Sequence, residues 1–291
     1  MNTRFFLPLL CTAALLAGCT KEITIDLPEV ESKVVVDGGI FTGEFAQITL
    51  TNSAGYFDPV DSASLAGYLI TNAVVTLTDG VQTDTLRPTV DLTMPIPLVY
   101  RGSVIQGQVG RTYWLTVVAN GETVTASTTI PQPVALDSLW YELDTDNTND
   151  SLGFIWANLN EPAGLGNGYR WFAKRIGRDD RYLPPFGSAF FDKFIDGQDF
   201  DFGYTRGMEP GSTAPDDNGP ERGRFRLGDT VVVKFCAIGT AEVEFFRSYE
   251  SIVGNQGNPF AAPGVVETNV QGGLGIFCGY APTLDTLVCR P

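Results

Sequence analysis

The chain has 291 residues, 43% hydrophobic and 11% aromatic, so it is long enough and apolar enough to bury a sizeable core. Its formal charge of −15 argues against nucleic acid, which draws affinity from clustered Lys and Arg, and against attraction to anionic lipid headgroups. Histidine is absent, which removes the commonest general base and transition-metal ligand, and with it Ser–His and Cys–His nucleophilic systems.

In chain order, Arg4 precedes an apolar run from Phe5 to Leu16, which ends in Leu16-Ala17-Gly18-Cys19. A charged start, an apolar stretch and a small-residue cleavage site outline a secretory signal. The run is shorter than the about 20 residues a membrane span needs. Leu-Ala-Gly-Cys resembles a bacterial lipobox, which implies removal of residues 1–18 and lipid on Cys19 as the membrane contact. A plain signal peptide or an uncleaved anchor is the alternative. About 270 residues then remain, room for one large domain or two ordinary ones. Residues 19–32 read as a tether, and Lys21-Glu22 resembles the charged signal that sends Bacteroidota lipoproteins to the outer leaflet, so the cell-surface side is favoured over the periplasmic one.

From Lys33 the pattern is all-β. Val34-Val35-Val36-Asp37-Gly38 reads as a short strand ending in a turn, and 47–51 alternates apolar with polar. Residues 73–78 end in Asp79-Gly80, a two-residue hairpin cue. Residues 112–118 lead through Asn120-Gly121 to a return strand over 123–129, since Asn-Gly supplies the positive φ a type I′ turn requires. This spacing suggests a β-sandwich over 33–132 that resembles immunoglobulin-like and transthyretin-like modules. Ile130-Pro131-Gln132-Pro133 is a stiff break, and 133–291 reads as a second β-rich module. Strands are expected there at 138–143, 152–159, 167–176 and 230–238, with a last short one at 284–289. A long excursion covers 179–228. One helix is expected over 241–253, with Val243, Phe246, Tyr249 and Val253 on one face and Gly254 as its stop.

Cys236, Cys278 and Cys289 remain after the signal and the lipidated Cys19 are set aside. They sit in a compartment where disulfides persist, and at most one bridge forms within the chain. Cys278 and Cys289 flank Gly279-Tyr280-Ala281-Pro282 and are expected to close a hairpin, with Cys236 bonded to either as the alternative. Asp144-x-Asp146-x-Thr148-x-Asp150 has the spacing that opens a calcium loop, but Asn149 and Ile155 stand where glycine and a bidentate glutamate belong, so a polar hairpin tip is favoured and no metal is expected. Gln271 to Phe277 is glycine-dense without the Lys-Ser/Thr pair of a phosphate loop, and close backbone packing or a bulge is expected. Within the excursion, Tyr182, Phe191, Phe194, Asp196, Asp199 and Phe200 interleave aromatics with acids. That is how sugar- or peptide-binding surfaces look, and equally how a loop looks whose rings pack inward; an acid–base pair for glycosidic chemistry is the least favoured reading.

Cys19-Thr-Lys-Glu-Ile-Thr-Ile-Asp-Leu-Pro, Lys33-Val-Val-Val-Asp-Gly, Ala73-Val-Val-Thr-Leu-Thr-Asp-Gly and Asn269-Val-Gln-Gly-Gly-Leu-Gly-Ile-Phe follow in order over nearly the whole mature chain. Together they resemble a family of Bacteroidota outer-membrane lipoproteins catalogued as a domain of unknown function, whose genes commonly sit beside TonB-dependent receptors. The resemblance implies a lipid-anchored, non-enzymatic accessory protein of the outer membrane that assists such a receptor in uptake, without a cofactor. A stand-alone glycan- or peptide-binding lipoprotein is the alternative.

Overall fold

A computed structural model describes residues 31–55, 62–94, 96–145, 150–209, 212–255 and 264–290. The expected lipobox and Cys19 lie outside them, as does the middle of the expected polar hairpin tip at 144–150. The fold is all-β. Its strands are β1 Val34–Phe41, β2 Phe45–Asn52, β3 Val74–Thr78, β4 Thr83–Val90, β5 Leu98–Gln106, β6 Thr112–Ala119, β7 Glu122–Thr129, β8 Ser138–Leu143, β9 Leu152–Asn160, β10 Gly168–Arg175, β11 Ala189–Phe191, β12 Asp199–Tyr204, β13 Phe225–Arg226, β14 Thr230–Ile238, β15 Val270–Gln271 and β16 Leu274–Val288. Among the described residues three α-helices accompany them, α1 Ser62–Tyr68, α2 Pro215–Asn218 and α3 Thr240–Gly254, with a 3-10 turn at Asp192–Phe194.

Twelve strands make one sheet in the order β11-β10-β14-β16-β1-β2-β5-β4-β3-β6-β7-β15, and β8, β9, β12 and β13 make a smaller one. A shared core joins them, with Tyr141, Ile155 and Leu159 of the small sheet in the same cluster as Tyr169, Trp171, Val233 and Phe235 of the large one. Asn120-Gly121 forms the expected two-residue turn between β6 and β7, both residues with positive φ (54° and 82°). The β3–β4 connection is longer than its two-residue cue: the strands part at Thr78 and Thr83, and Asp79 closes the loop by accepting from the Val81 and Gln82 amides at 2.9 and 2.8 Å.

β4 and β5 carry no cue read from the sequence. Where β5 slips register against β2, the buried Asp84 of β4 accepts the amides of Ser103, Val104 and Ile105 at 2.8, 2.8 and 3.1 Å, pairing N–H groups that the bulge takes off the ladder.

The carboxyl-terminal segment differs most from expectation. Instead of a glycine-rich tail and a short strand, residues 274–288 are one continuous strand, β16. Its first half runs parallel to β1, from Val35↔Leu274 to Phe41↔Tyr280, and its second half antiparallel to β14, from Ala237↔Ala281 to Thr230↔Val288. It therefore hydrogen-bonds strands from both sides of the Pro131–Pro133 break. Gly279-Tyr280-Ala281-Pro282 is strand rather than turn, and this corrects the expected Cys278–Cys289 bridge. Eleven residues at about 3.3 Å each hold those cysteines far beyond the about 7 Å that a disulfide tolerates. Cys236, Cys278 and Cys289 are all free and buried.

Helix α3 forms where the apolar spacing places it, but only half of the expected face is covered. Val243 and Phe246 are buried against β10, β11 and β16, whereas Tyr249 is 50% exposed and Val253 37%.

Candidate functional site

The sequence reading ends the first strand at Gly38, yet β1 continues to Phe41. Side chains alternate along it: Val34, Val36 and Ile40 enter the core, while Asp37, Gly39 and Phe41 face the other side of the sheet. The two glycines let the chain continue as strand between close neighbours. A Cβ on Gly38 would collide with the Gln47 carbonyl and lie 2.7 Å from the Ile48 Cδ1, and one on Gly39 would collide with the Cys278 carbonyl and lie 2.8 Å from the Tyr280 ring. The Tyr280 ring stacks on Phe41 at 4.3 Å and 11° and meets Phe172 edge-on at 6.0 Å.

These side chains enclose a cleft of about 250 Å³. Asp37, Gly38, Gly39 and Phe41 come from β1, Phe45, Gln47 and Thr49 from β2, Phe172 from β10 and Tyr280 from β16, with Met94 and Val99 on the side of the β4–β5 connection. Asp37 is open to solvent within the cleft, yet the protein around it pushes its carboxyl above the usual range, an effect only partly offset by the charge of Arg170. Among the described residues, nothing donates a hydrogen bond to this carboxylate and no cation lies within ion-pair distance of it.

The cations nearby are held on aromatic rings. The Arg170 guanidinium lies 3.3 Å from the centroid of Phe246 and 5.0 Å from that of Phe172, and its Nη1 donates to the Tyr280 hydroxyl at 3.4 Å. The Lys234 ammonium sits 4.1 Å from the Tyr182 centroid and 4.7 Å from that of Phe41. Behind the cleft, the Thr128 hydroxyl accepts from the Gly279 amide at 2.8 Å and donates to Glu242 at 2.5 Å, tying α3 to β7 and β16. Burial pushes the Glu242 carboxyl up, and pushes the thiols of Cys236 and Cys289 up to about 12.

The expected contact surface is dispersed. Phe200 packs on the shared core beside Phe190 and Phe202, and Phe191 against the cluster under α3. Tyr182 is half-buried beneath Lys234. Asp196 accepts the Gly164 amide at 2.6 Å and Asp199 the Asn158 Nδ2 at 2.5 Å. Phe194, 83% exposed, is the most open of the six.

Ion pairs hold the rest of the excursion. Arg178 reaches Asp216, Glu221 and Asp229 at 2.6, 2.8 and 2.9 Å. Arg175 pairs with Asp179 at 2.7 Å, and Arg206, whose side chain is 2% exposed, with Asp217 at 2.7 Å. Burial pushes the Asp216 and Asp217 carboxyls up, but Arg178 and Arg175 outweigh it at Asp216, and the Ser212 hydrogen bond with Arg206 does so at Asp217, so both are held below the usual range. Asp144, first residue of the expected polar hairpin tip, pairs with Arg224 at 2.6 Å. Among the described residues no three Cys, Asp or Glu side chains are grouped to hold a metal ion.

The sequence reading used Asp37 only as the close of a strand and so missed the cleft. The signal lay in the Asp-Gly-Gly run itself, an acid followed by two residues that admit close neighbours. No curated protein matches the chain. A family model described as Domain of unknown function (DUF4249) matches residues 20–285, most of the chain, and the chain belongs to that family.

Proposed function

We propose that this chain is a lipid-anchored accessory protein of the outer membrane, held by lipid on Cys19, which captures a ligand in the Asp37 cleft and serves a TonB-dependent receptor. The observation that carries a capture role is the cleft: a carboxylate without a partner, set among aromatic walls on the face of a rigid sheet. Gln47, Thr49 and the Tyr280 hydroxyl, which already accepts from Arg170, are the other polar groups of the lining, a small set of the kind that orients a bound ligand. The lipobox and the family's association with receptor genes support the anchor and the partner.

The test is purification of the full-length protein from detergent-solubilised outer membranes. A TonB-dependent receptor is expected to copurify, and Cys19→Ser is expected to abolish palmitate labelling and membrane retention. Recovery without a receptor, or labelling that survives the substitution, overturns the corresponding half of the proposal.

A further inference from the structure

We propose that the Asp37 cleft selects a small organic cation, an ammonium group on a short apolar or aromatic stem. The inference rests on the reading of this cleft as a capture site and adds the ligand's chemical class.

Asp37 is a carboxylate that lines a largely aromatic cleft, stays accessible from solvent and has no protein donor among the described residues, so a ligand that brings positive charge and N–H donors meets an unpaired acceptor there. The buried Asp84 and the partly buried Asp216 receive backbone amides and guanidiniums respectively; Asp37, open to solvent within the cleft, receives neither. An ammonium entering the cleft would supply the missing charge and donors. Its stem would lie against Phe45, Met94 and Val99 and the edges of Phe41, Phe172 and Tyr280, an apolar lining that suits the carbons attached to the cation.

Other classes fit worse. An anion would meet Asp37 directly, while Arg170 and Lys234 are not among the lining residues and are engaged by Phe246, Phe172, Tyr182 and Phe41. A sugar ring wants a free aromatic platform and several hydrogen-bond partners. Phe41 has Tyr280 stacked on it and Lys234 over its ring, and the polar side chains of the lining are Asp37, Gln47, Thr49 and Tyr280, the last already hydrogen-bonded to Arg170. At about 250 Å³ the cavity lies just below the usual span for drug-sized ligands, which suits a single head group and stem.

The experiment is calorimetric titration of the full-length protein in detergent with three probes that share a phenyl stem: 2-phenylethylammonium, 2-phenylethanol and 3-phenylpropanoate. The ammonium probe is expected to bind on the order of tenfold more tightly than the alcohol, with the carboxylate weakest. Asp37→Asn should erase that preference in a protein that still unfolds cooperatively and no earlier than wild type, and Phe45→Ala should weaken ammonium and alcohol alike. If the alcohol or the carboxylate binds as well as the ammonium, or Asp37→Asn retains the preference, the cationic assignment falls while the capture role stands. If no probe binds, the cationic assignment falls too, and receptor copurification judges the accessory role separately.

Discussion

Around Arg178 three carboxylates converge on one guanidinium, whereas Asp37 stands in its cleft with no donor within reach. Both regions are acidic and both are partly shielded from water, but the environment moves their carboxyls in opposite directions. Asp216 and Asp217 are held low by arginines, and Asp37 is pushed up by its surroundings. Charges on the excursion are satisfied from within and serve to fix 175–229. The charge in the cleft is unsatisfied and left for something outside the chain. A sequence crowded with acids conceals this difference, because partnership is a property of the fold.

Arg206→Ala tests the first region most severely. It strips Asp217 of its guanidinium and leaves the Asp216 and Arg224 carbonyls without their donor at 3.0 Å, so a loss of about 3–5 kcal/mol is expected in chemical denaturation. A loss within error of zero would make the network ornamental. Gly39→Ala presses a methyl group into the Cys278 carbonyl and the Tyr280 ring and should cost about 1–3 kcal/mol. It should also change the near-ultraviolet circular dichroism of Tyr280 and weaken probe binding; a well-folded variant that binds as before would show that the cleft does not depend on close packing.

The pH dependence separates the regions by sign. Stability from the depressed Asp216 and Asp217 is fully present above the unfolded carboxylate range, about 4, and is lost as pH falls through their lower folded values. Acid unfolding of the wild type should accordingly be steeper than that of Arg206→Ala. Asp37 runs the other way. Its folded pKa lies above the unfolded value, so its ionised form opposes folding at neutral pH, and the penalty fades as the group protonates on acidification. Asp37→Asn should unfold at a slightly higher temperature than wild type at pH 7, with the gap closing towards pH 4; a lower temperature at pH 7 would mean that the carboxylate has a partner. A reducing agent should change nothing. Iodoacetamide should leave Cys236, Cys278 and Cys289 unmodified in the folded protein and alkylate all three after unfolding.

Local cues gave the sequence reading most of its strands, because alternation and Asn-Gly act over a few residues, and gave helix α3 through its apolar spacing. β4 and β5 escaped because their alternation is weak and a distant carboxylate stabilises their bulge. β16 was hidden by its glycines, which mark a turn in isolation but here admit a parallel neighbour too close for side chains. The cleft was invisible for a related reason. Asp37, Phe172 and Tyr280 come from strands far apart in sequence, and no local pattern brings them together. The aromatic–acid run at 190–202 was conspicuous because it is contiguous, yet much of it is absorbed by the core and by backbone amides.

The double pairing of β16 sets the order in which the molecule can be completed. Both β1, at the start of the described chain, and β14, late in it, keep an open edge until the final strand is in place. Contacts spanning nearly the whole chain are slow to form, since the loop between them must close first. The aromatic wall also waits, because Tyr280 is on that strand. A chain cut short before residue 274 would lose the cleft along with both edges' cover, so the site exists only once residues 274–288 have joined the sheet.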